Sequence, residues 1–214
     1  IVVIDYGIGN VRSIMNAFED QGVKSILSRD RSIILNADGI VLPGVGAFSH
    51  GMNNLNKYGL VAIIKDYVKI KKPLLGICLG MQMLLEESEE FGNSKGIGLI
   101  KGKVIKLPIK KSIKVKLPHI SWNEIQNKNI SWENTILNDV KINSNMYFVH
   151  TFIAKPDNED EILSKTNYFD IEFCSSIKKG NIYGCQFHPE KSSKQGLSII
   201  KNFINICKQK KCQN

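Results

Sequence analysis

The chain has little arginine, no long apolar run and no paired-cysteine metal motif, and each shortage removes a class of function. Three of its 29 basic residues are arginine and the rest are lysine, set against 20 acidic residues for a formal net charge of +9. Nucleic-acid-binding surfaces favour arginine and interleaved aromatics for base contacts and stacking. The lysine-rich stretch from Lys101 to Lys116 has neither, so no nucleic-acid partner is expected. Its lysines alternate with apolar residues, first in Lys103-Val104-Ile105-Lys106-Leu107 and then in Ile113-Lys114-Val115-Lys116-Leu117. Such period-two alternation predicts half-buried strands with a solvated lysine face. No stretch of about 18 uncharged apolar residues occurs, so neither a membrane span nor a membrane partner is expected. Five cysteines, at positions 78, 174, 185, 207 and 212, leave at least one unpaired, and none has a Cys-x-x-Cys spacing. No metal and no cofactor are expected. Cys207 and Cys212, in a lysine-rich tail, read as surface or helix-end thiols. Ile1-Val2-Val3-Ile4 meets Asp5 with no basic segment ahead of it, which is not a secretory leader and reads as a cytoplasmic protein.

What is present describes an α/β fold. With 214 residues, 43% of them hydrophobic, the chain can bury a layered core. Ile1-Val2-Val3-Ile4, Lys24–Ser28, Ile40-Val41-Leu42 and Pro73–Ile77 read as strands, and they alternate with helical periodicity over Val11–Gln21 and Leu60–Ile70. Gly22 is a helix stop, and a helix over Met81–Glu87 follows directly from the fourth strand. From Gly96 to about Gly184, short alternating segments and turn residues predict an antiparallel or mixed sheet. A last helix is expected over Gln195–Ile206. No repeat and no linker divides the chain, so residues 1–214 read as one domain.

Three segments carry chemistry. Gly76-Ile77-Cys78-Leu79-Gly80 joins an apolar strand to a helix in the pattern of a nucleophile elbow, with Cys in place of Ser. Glycines at 76 and 80 would remove side-chain clashes from so sharp a turn. The helix N-terminus would favour thiolate over thiol, and the Leu79 N–H would face a developing oxyanion. Read alone, the pentapeptide also suits a structural cysteine beside a tight turn. In Cys185-Gln186-Phe187-His188-Pro189-Glu190, a proline fixes the backbone between an imidazole and a carboxylate able to orient it. Alone, this is weak evidence and reads by default as a surface loop; the cysteine elbow upstream is what gives it weight. Leu42-Pro43-Gly44-Val45-Gly46-Ala47-Phe48 is a glycine-rich loop after a buried strand, either an amide donor to a neighbouring site or a plain turn.

Together these segments resemble the class I (triad) glutamine amidotransferases, and the resemblance spans essentially the whole chain. Asp5-Tyr6-Gly7-Ile8-Gly9-Asn10, Pro43–Phe48, Gly76–Gln82, Phe148-Val149-His150 and Gln186–Ser192 carry it. Met81 is similar to the branch that feeds a (βα)8-barrel cyclase in histidine biosynthesis, because the anthranilate and GMP synthase glutaminases usually have His there. The resemblance implies a three-layer, flavodoxin-like sandwich around a mostly parallel or mixed sheet. It also implies hydrolysis of L-glutamine to glutamate and ammonia. Cys78 would be the nucleophile, His188 the proton shuttle and Glu190 its orienting group, with oxyanion donors at Leu79, Val45 and Gly46. Gly44, Gln82, Glu90, Thr151 and Phe152 would hold glutamine. A heterodimeric cyclase partner would face Asn10, His119, Trp122 and Asn123. The segment His119-Ile120-Ser121-Trp122-Asn123 departs from the family's usual His-Met-Gly-Trp-Asn at Ile120 and Ser121. That departure leaves open a paralogous synthetase that modifies surface sugars as the ammonia acceptor. A stand-alone cysteine hydrolase of the same fold is a third reading, and Gln82 argues against it.

Overall fold

Runs such as Val2-Val3-Ile4 and Ile40-Val41-Leu42 are apolar at every position, so as strands they need cover on both faces. In the computed structural model, which describes residues 1–109, 116–127 and 130–211, they form the middle of a seven-stranded sheet. The first part of the chain contributes β1 (Val2–Ile4), α1 (Val11–Glu19), β2 (Ile26–Ser28), α2 (Arg31–Asn36), β3 (Ile40–Leu42), α3 (Phe48–Lys57), α4 (Leu60–Lys69), β4 (Leu74–Ile77) and α5 (Leu79–Met83). The remainder adds β5 (Glu87–Ser88), β6 (Ser94–Lys95), β7 (Gly102–Lys106), β8 (His119–Ile125), β9 (Ser144–His150), β10 (Phe152–Pro156), β11 (Ile162–Tyr168), β12 (Ile171–Lys179), β13 (Ile182–Cys185) and α6 (Ser193–Lys211). The main sheet runs β11-β12-β13-β4-β3-β1-β2. Strands β2, β1, β3, β4 and β13 are parallel, and β12 and β11 add antiparallel pairs at one edge. Two smaller sheets, β10-β7-β5-β6 and β8-β9, lie outside it.

Strand side chains alternate in direction, so this sheet divides the core in two. Val2, Ile4, Ile40, Leu42 and Leu74 join the buried faces of α2, α3, α4 and α5. Val3, Val41, Leu75, Ile77 and Tyr183 join those of α1 and α6. The result is the three-layer α/β sandwich with a mostly parallel sheet that the sequence suggests. Among the described residues no helix is long and apolar enough to cross a membrane.

Several local expectations change. Helices α2 and α3 were not anticipated. In α3, Ser, Gly and three Asn are weak helix formers, yet Phe48, Met52 and Leu55 fall on one buried face and packing overrides propensity. The helix expected over Met81–Glu87 instead spans Leu79–Met83, because Glu87–Ser88 turns aside to pair with Ser94–Lys95 and with β7. Cys207 is not a surface thiol: it is buried on the inner face of α6, where a side chain at Gly39 would collide with its sulfur. Cys212 lies outside the described residues, as does most of the second alternating lysine segment; the first forms β7.

Phe203 of α6 is fully buried with its ring edge-on to Phe18 of α1 at 6.4 Å. Phe203→Ala should lower stability by about 3–5 kcal/mol, at about 2–4 °C of Tm per kcal/mol for a chain of this size. Thermal unfolding followed by circular dichroism checks it, and an unchanged Tm would mean that α6 is not anchored through this contact.

Candidate active site

Strand β4 passes into α5 through one residue, Cys78, whose backbone sits at φ 54° and ψ −110°. A side chain other than glycine with positive φ is uncommon and persists only where the surroundings enforce it. Here they do. A Cβ on Gly80 would lie 1.9 Å from the Leu42 carbonyl oxygen, and one on Gly76 would lie 2.8 Å from the Met81 nitrogen. Both obstacles are backbone and cannot retreat, so the elbow closes only with glycine at both places. The Cys78 N–H is held by the Cys185 carbonyl at 2.7 Å, and the side chain opens on a cavity of about 280 Å³ at the end of the sheet. Burial holds the thiols of Cys174, Cys185 and Cys207 well above their usual pKa, which makes them poor nucleophiles. Helix α5 has only five residues, so it contributes unpaired first-turn N–H groups such as that of Leu79 more than a long dipole.

The imidazole arrives from the far end of the sequence. Parallel pairing of β13 with β4 sets Cys185 beside Ile77, and the chain leaves β13 alongside the elbow. The His188 N–H donates to the Tyr147 carbonyl at 3.0 Å, and the Ser192 hydroxyl donates to the His188 carbonyl at 2.6 Å while accepting from the Tyr147 N–H at 3.0 Å. Pro189 opens a short 3-10 turn that brings Glu190 back onto the ring, with Nδ1 and Oε1 2.8 Å apart. The two side chains are 3% and 0% exposed. With Nδ1–H donating to the carboxylate, the buried Nε2 is the atom free to exchange a proton; it makes no hydrogen bond of ordinary geometry. Burial pulls the imidazole pKa down, but hydrogen bonding to the Cys78 sulfur and the Glu190 carboxylate outweighs it and raises the value to about 10. The charged imidazolium form of His188 is therefore favoured in the folded site.

Val45, Gly46, Leu79, Gln82, Glu90, Thr151 and Phe152 line the same cavity as Cys78 and His188. The 43–48 loop is tied at both ends: the Tyr6 hydroxyl donates to the Pro43 carbonyl at 2.6 Å, and Glu90 Oε2 accepts from the Phe48 N–H at 2.7 Å. Gly46, at φ 101°, holds a conformation that a side chain would resist. Gly44 does not line the cavity. It is buried behind it, where a Cβ would lie 2.7 Å from that of Leu79. Gln82 donates to the Phe152 carbonyl at 2.9 Å and to Gln186 Oε1 at 3.0 Å.

The residues expected to face a partner separate. Asn10 is exposed at the start of α1, Trp122 is 49% exposed, and Ile120 beside it is 56% exposed. His119 does not reach the surface. Strand alternation turns it inward, where Nδ1 meets His150 Nε2 at 3.0 Å and the ring stacks on Tyr168. Asn123 is on the same side, half-buried, with its Nδ2 donating to the Asn167 carbonyl. Sequence reasoning gave no place in the cavity to His150 or to Pro118, which it put at the start of the partner-facing segment, and no anchoring role to Tyr6; the first two line the cavity and Tyr6 anchors the loop. His150 and Tyr6 stand inside motifs quoted above, but neither signals its contact by spacing. Among the described residues no cluster of three or more His, Cys, Asp or Glu could hold a metal ion.

The raised His188 pKa has a consequence for stability. A folded-state value above the ordinary 6.5 contributes stability that is complete below about pH 6.5 and is lost as pH rises through about 10. Glu190→Gln should therefore be less stable than the parent at pH 6, with the gap narrowing toward pH 10, as read from urea midpoints across that range. A gap independent of pH would show that Glu190 does not hold the imidazolium.

Residues 2–207 match the family described as Glutamine amidotransferase class-I. The imidazole glycerol phosphate synthase subunit HisH 1 of Legionella pneumophila (strain Lens) is 44% identical over 213 residues, covering 96% of this chain and 99% of the relative. The HisH subunit of Aquifex aeolicus (strain VF5) is 45% identical over 203 residues, 94% of either chain. In fold, the structure of PurLQS from Thermotoga maritima matches with a TM-score of 0.71 at 18% identity, over 95% of this chain and 96% of that one. The chain belongs to the class-I glutamine amidotransferase family, in the branch of the imidazole glycerol phosphate synthase HisH subunits.

Proposed function

We propose that the chain hydrolyses L-glutamine to glutamate and ammonia, with Cys78 as nucleophile, His188 as proton shuttle and Glu190 as the group that orients His188. The observation that carries this reading is the meeting of a strained elbow cysteine with a buried His–Glu pair in one cavity. The Cys78 proton passes to His188 Nε2 before attack, giving the imidazolium, and the sulfur then attacks the carboxamide carbon. The oxygen that gains charge is stabilised by the Leu79 N–H and by an N–H at Val45 or Gly46. Collapse of the tetrahedral centre expels nitrogen, which takes the proton from His188 and leaves as ammonia. Water, deprotonated by the same imidazole, then cleaves the thioester to release glutamate and restore the thiol.

Gln82, Glu90 and the backbone at Thr151 and Phe152 hold the amino-acid end of the substrate, with the Glu90 carboxylate placed for its ammonium. Gly44 acts in glutamine binding from behind, by letting the loop close on Leu79. Removing one oxyanion donor costs about 3–4 kcal/mol in such sites, so the setting of the 44–46 loop controls the rate.

The ammonia passes to a (βα)8-barrel cyclase that forms a heterodimer with this chain and makes imidazole glycerol phosphate in histidine biosynthesis. The names of the relatives at 44–45% identity support the cyclase over a surface-sugar synthetase. Asn10 and Trp122, both exposed, are the residues offered to that partner. A nucleophile that must stay a free thiol suits a reducing cytoplasm.

Cys78→Ala should abolish glutamine hydrolysis with an unchanged circular dichroism spectrum, and turnover that survives the substitution would remove Cys78 as nucleophile. The chain alone should be a poor glutaminase that the cyclase activates. Equal rates with and without the cyclase would mean that the loop needs no partner to present its donor.

A further inference from the structure

We propose that Gln186 is a positioning residue of this site, whose side-chain amide fixes the orientation of Gln82 and holds a hydrogen-bond donor on the Cys78 sulfur. The proposal rests on the reading of Cys78 as nucleophile and Gln82 as a glutamine-binding side chain.

Gln186 has no exposed surface. A buried carboxamide is costly unless its polar atoms are paired, so a residue needed only to fill space here would be apolar. The pairing it finds connects two functional side chains. Its Oε1 accepts from Gln82 Nε2 at 3.0 Å, and its Nε2 lies 3.8 Å from the Cys78 sulfur as donor.

The orientations follow from an atom that can only accept. The Phe152 carbonyl faces the Gln82 amide at 2.9 Å, so the Gln82 atom there must be nitrogen. That same nitrogen faces Gln186, whose atom there must then be oxygen. The other end of the Gln186 amide, its N–H₂, is thereby directed to the sulfur. Reversing Gln82 would set its oxygen against two acceptor oxygens, and reversing Gln186 would set its N–H₂ against that of Gln82.

Two consequences follow. Both hydrogens of Gln82 Nε2 are engaged by protein acceptors, which leaves Gln82 Oε1 as the atom it offers a ligand. A ligand bearing N–H is favoured there over one bearing a carboxylate. At the sulfur, a donor of fixed direction stabilises thiolate more than thiol and keeps the nucleophile available to His188. The pair thus links recognition of the substrate nitrogen to the state of the nucleophile through one buried amide.

The test compares Gln186→Met, which removes both contacts at similar volume, with Gln186→Glu, which keeps an acceptor for Gln82 but sets a carboxylate beside the sulfur. Two quantities are measured: the pH dependence of Cys78 alkylation by iodoacetamide, followed by mass mapping of the Cys78 peptide, and KM and kcat for glutamine in the complex with the cyclase. Gln186→Met should raise the alkylation midpoint and raise KM about tenfold, the effect of one lost hydrogen bond. Gln186→Glu should move the midpoint further, by about one pH unit or more, while raising KM less than Gln186→Met does. Parental midpoint and KM in both variants would make Gln186 a core filler and overturn the proposal. So would a rise in KM of the same size in both variants with no change in midpoint. If the Met variant does not fold, the nearly isosteric Glu variant decides by its midpoint. If neither folds, Gln82→Met decides instead: it removes the partner that orients the Gln186 amide, so it must also shift the Cys78 midpoint, and an unshifted midpoint overturns the proposal. Failure of the parent complex to hydrolyse glutamine would strike the functional reading alone, because the alkylation profile needs no substrate.

Discussion

The close approach of the Cys78 elbow to the end of the neighbouring strand is the constraint on which the site depends. Gly80 lies so near the Leu42 carbonyl that no side chain fits between them. That contact binds β3, the elbow and the 43–48 loop into one rigid unit. It also forces Cys78 into a backbone conformation that would relax if the strands could separate. They cannot, because both faces of the sheet are covered by helices and every strand of its centre is buried. Strain at one residue is thus maintained by the packing of the whole sandwich.

Around this unit the polar groups divide into those that fix geometry and those left open toward the cavity. Hydrogen bonds between Tyr147, His188 and Ser192 hold the backbone of the imidazole, and Glu190 holds its ring, so one ring nitrogen remains open. Tyr6 and Glu90 tether the loop on either side of Val45 and Gly46. Both tethers reach across long stretches of sequence, and Glu90 comes from the turn that joins β5 and β6 of the small second sheet. The strand bearing Trp122 is linked to the same region by contact: His119 meets His150, whose Nδ1 lies 3.0 Å from the Phe152 carbonyl.

Much of the architecture was legible in the residues. The apolar runs at 2–4, 40–42 and 74–77 read as buried strands because they are short, mostly apolar, rich in Val, Ile or Leu, and have Gly or Pro turn residues close by. The elbow and the His-Pro-Glu turn, each ambiguous alone, were legible only in conjunction, through the family resemblance they carry together with the 43–48 loop. Helix α3 was not, since its polar, flexible composition resembles a loop and only burial of Phe48, Met52 and Leu55 stabilises it. The inward face of His119 was not legible either: a strand's sequence does not say which of its two faces meets the core until its partner β9 supplies Phe148 and His150 on that side.

The sequence by itself determined which residues suit the proposed chemistry: one cysteine between two glycines, one histidine held two positions from a carboxylate by proline, and a loop able to bring backbone N–H groups forward. These are local covalent and conformational facts, complete within a few residues. Tertiary structure alone decided that they meet. Parallel pairing of β13 with β4 carries an imidazole from position 188 to a sulfur at position 78, and the buried Gln186 amide acquires its partners only once those strands lie side by side. Distances across more than a hundred residues are set by strand register and by the packing of helices on both faces, and neither can be read from any short stretch of the chain.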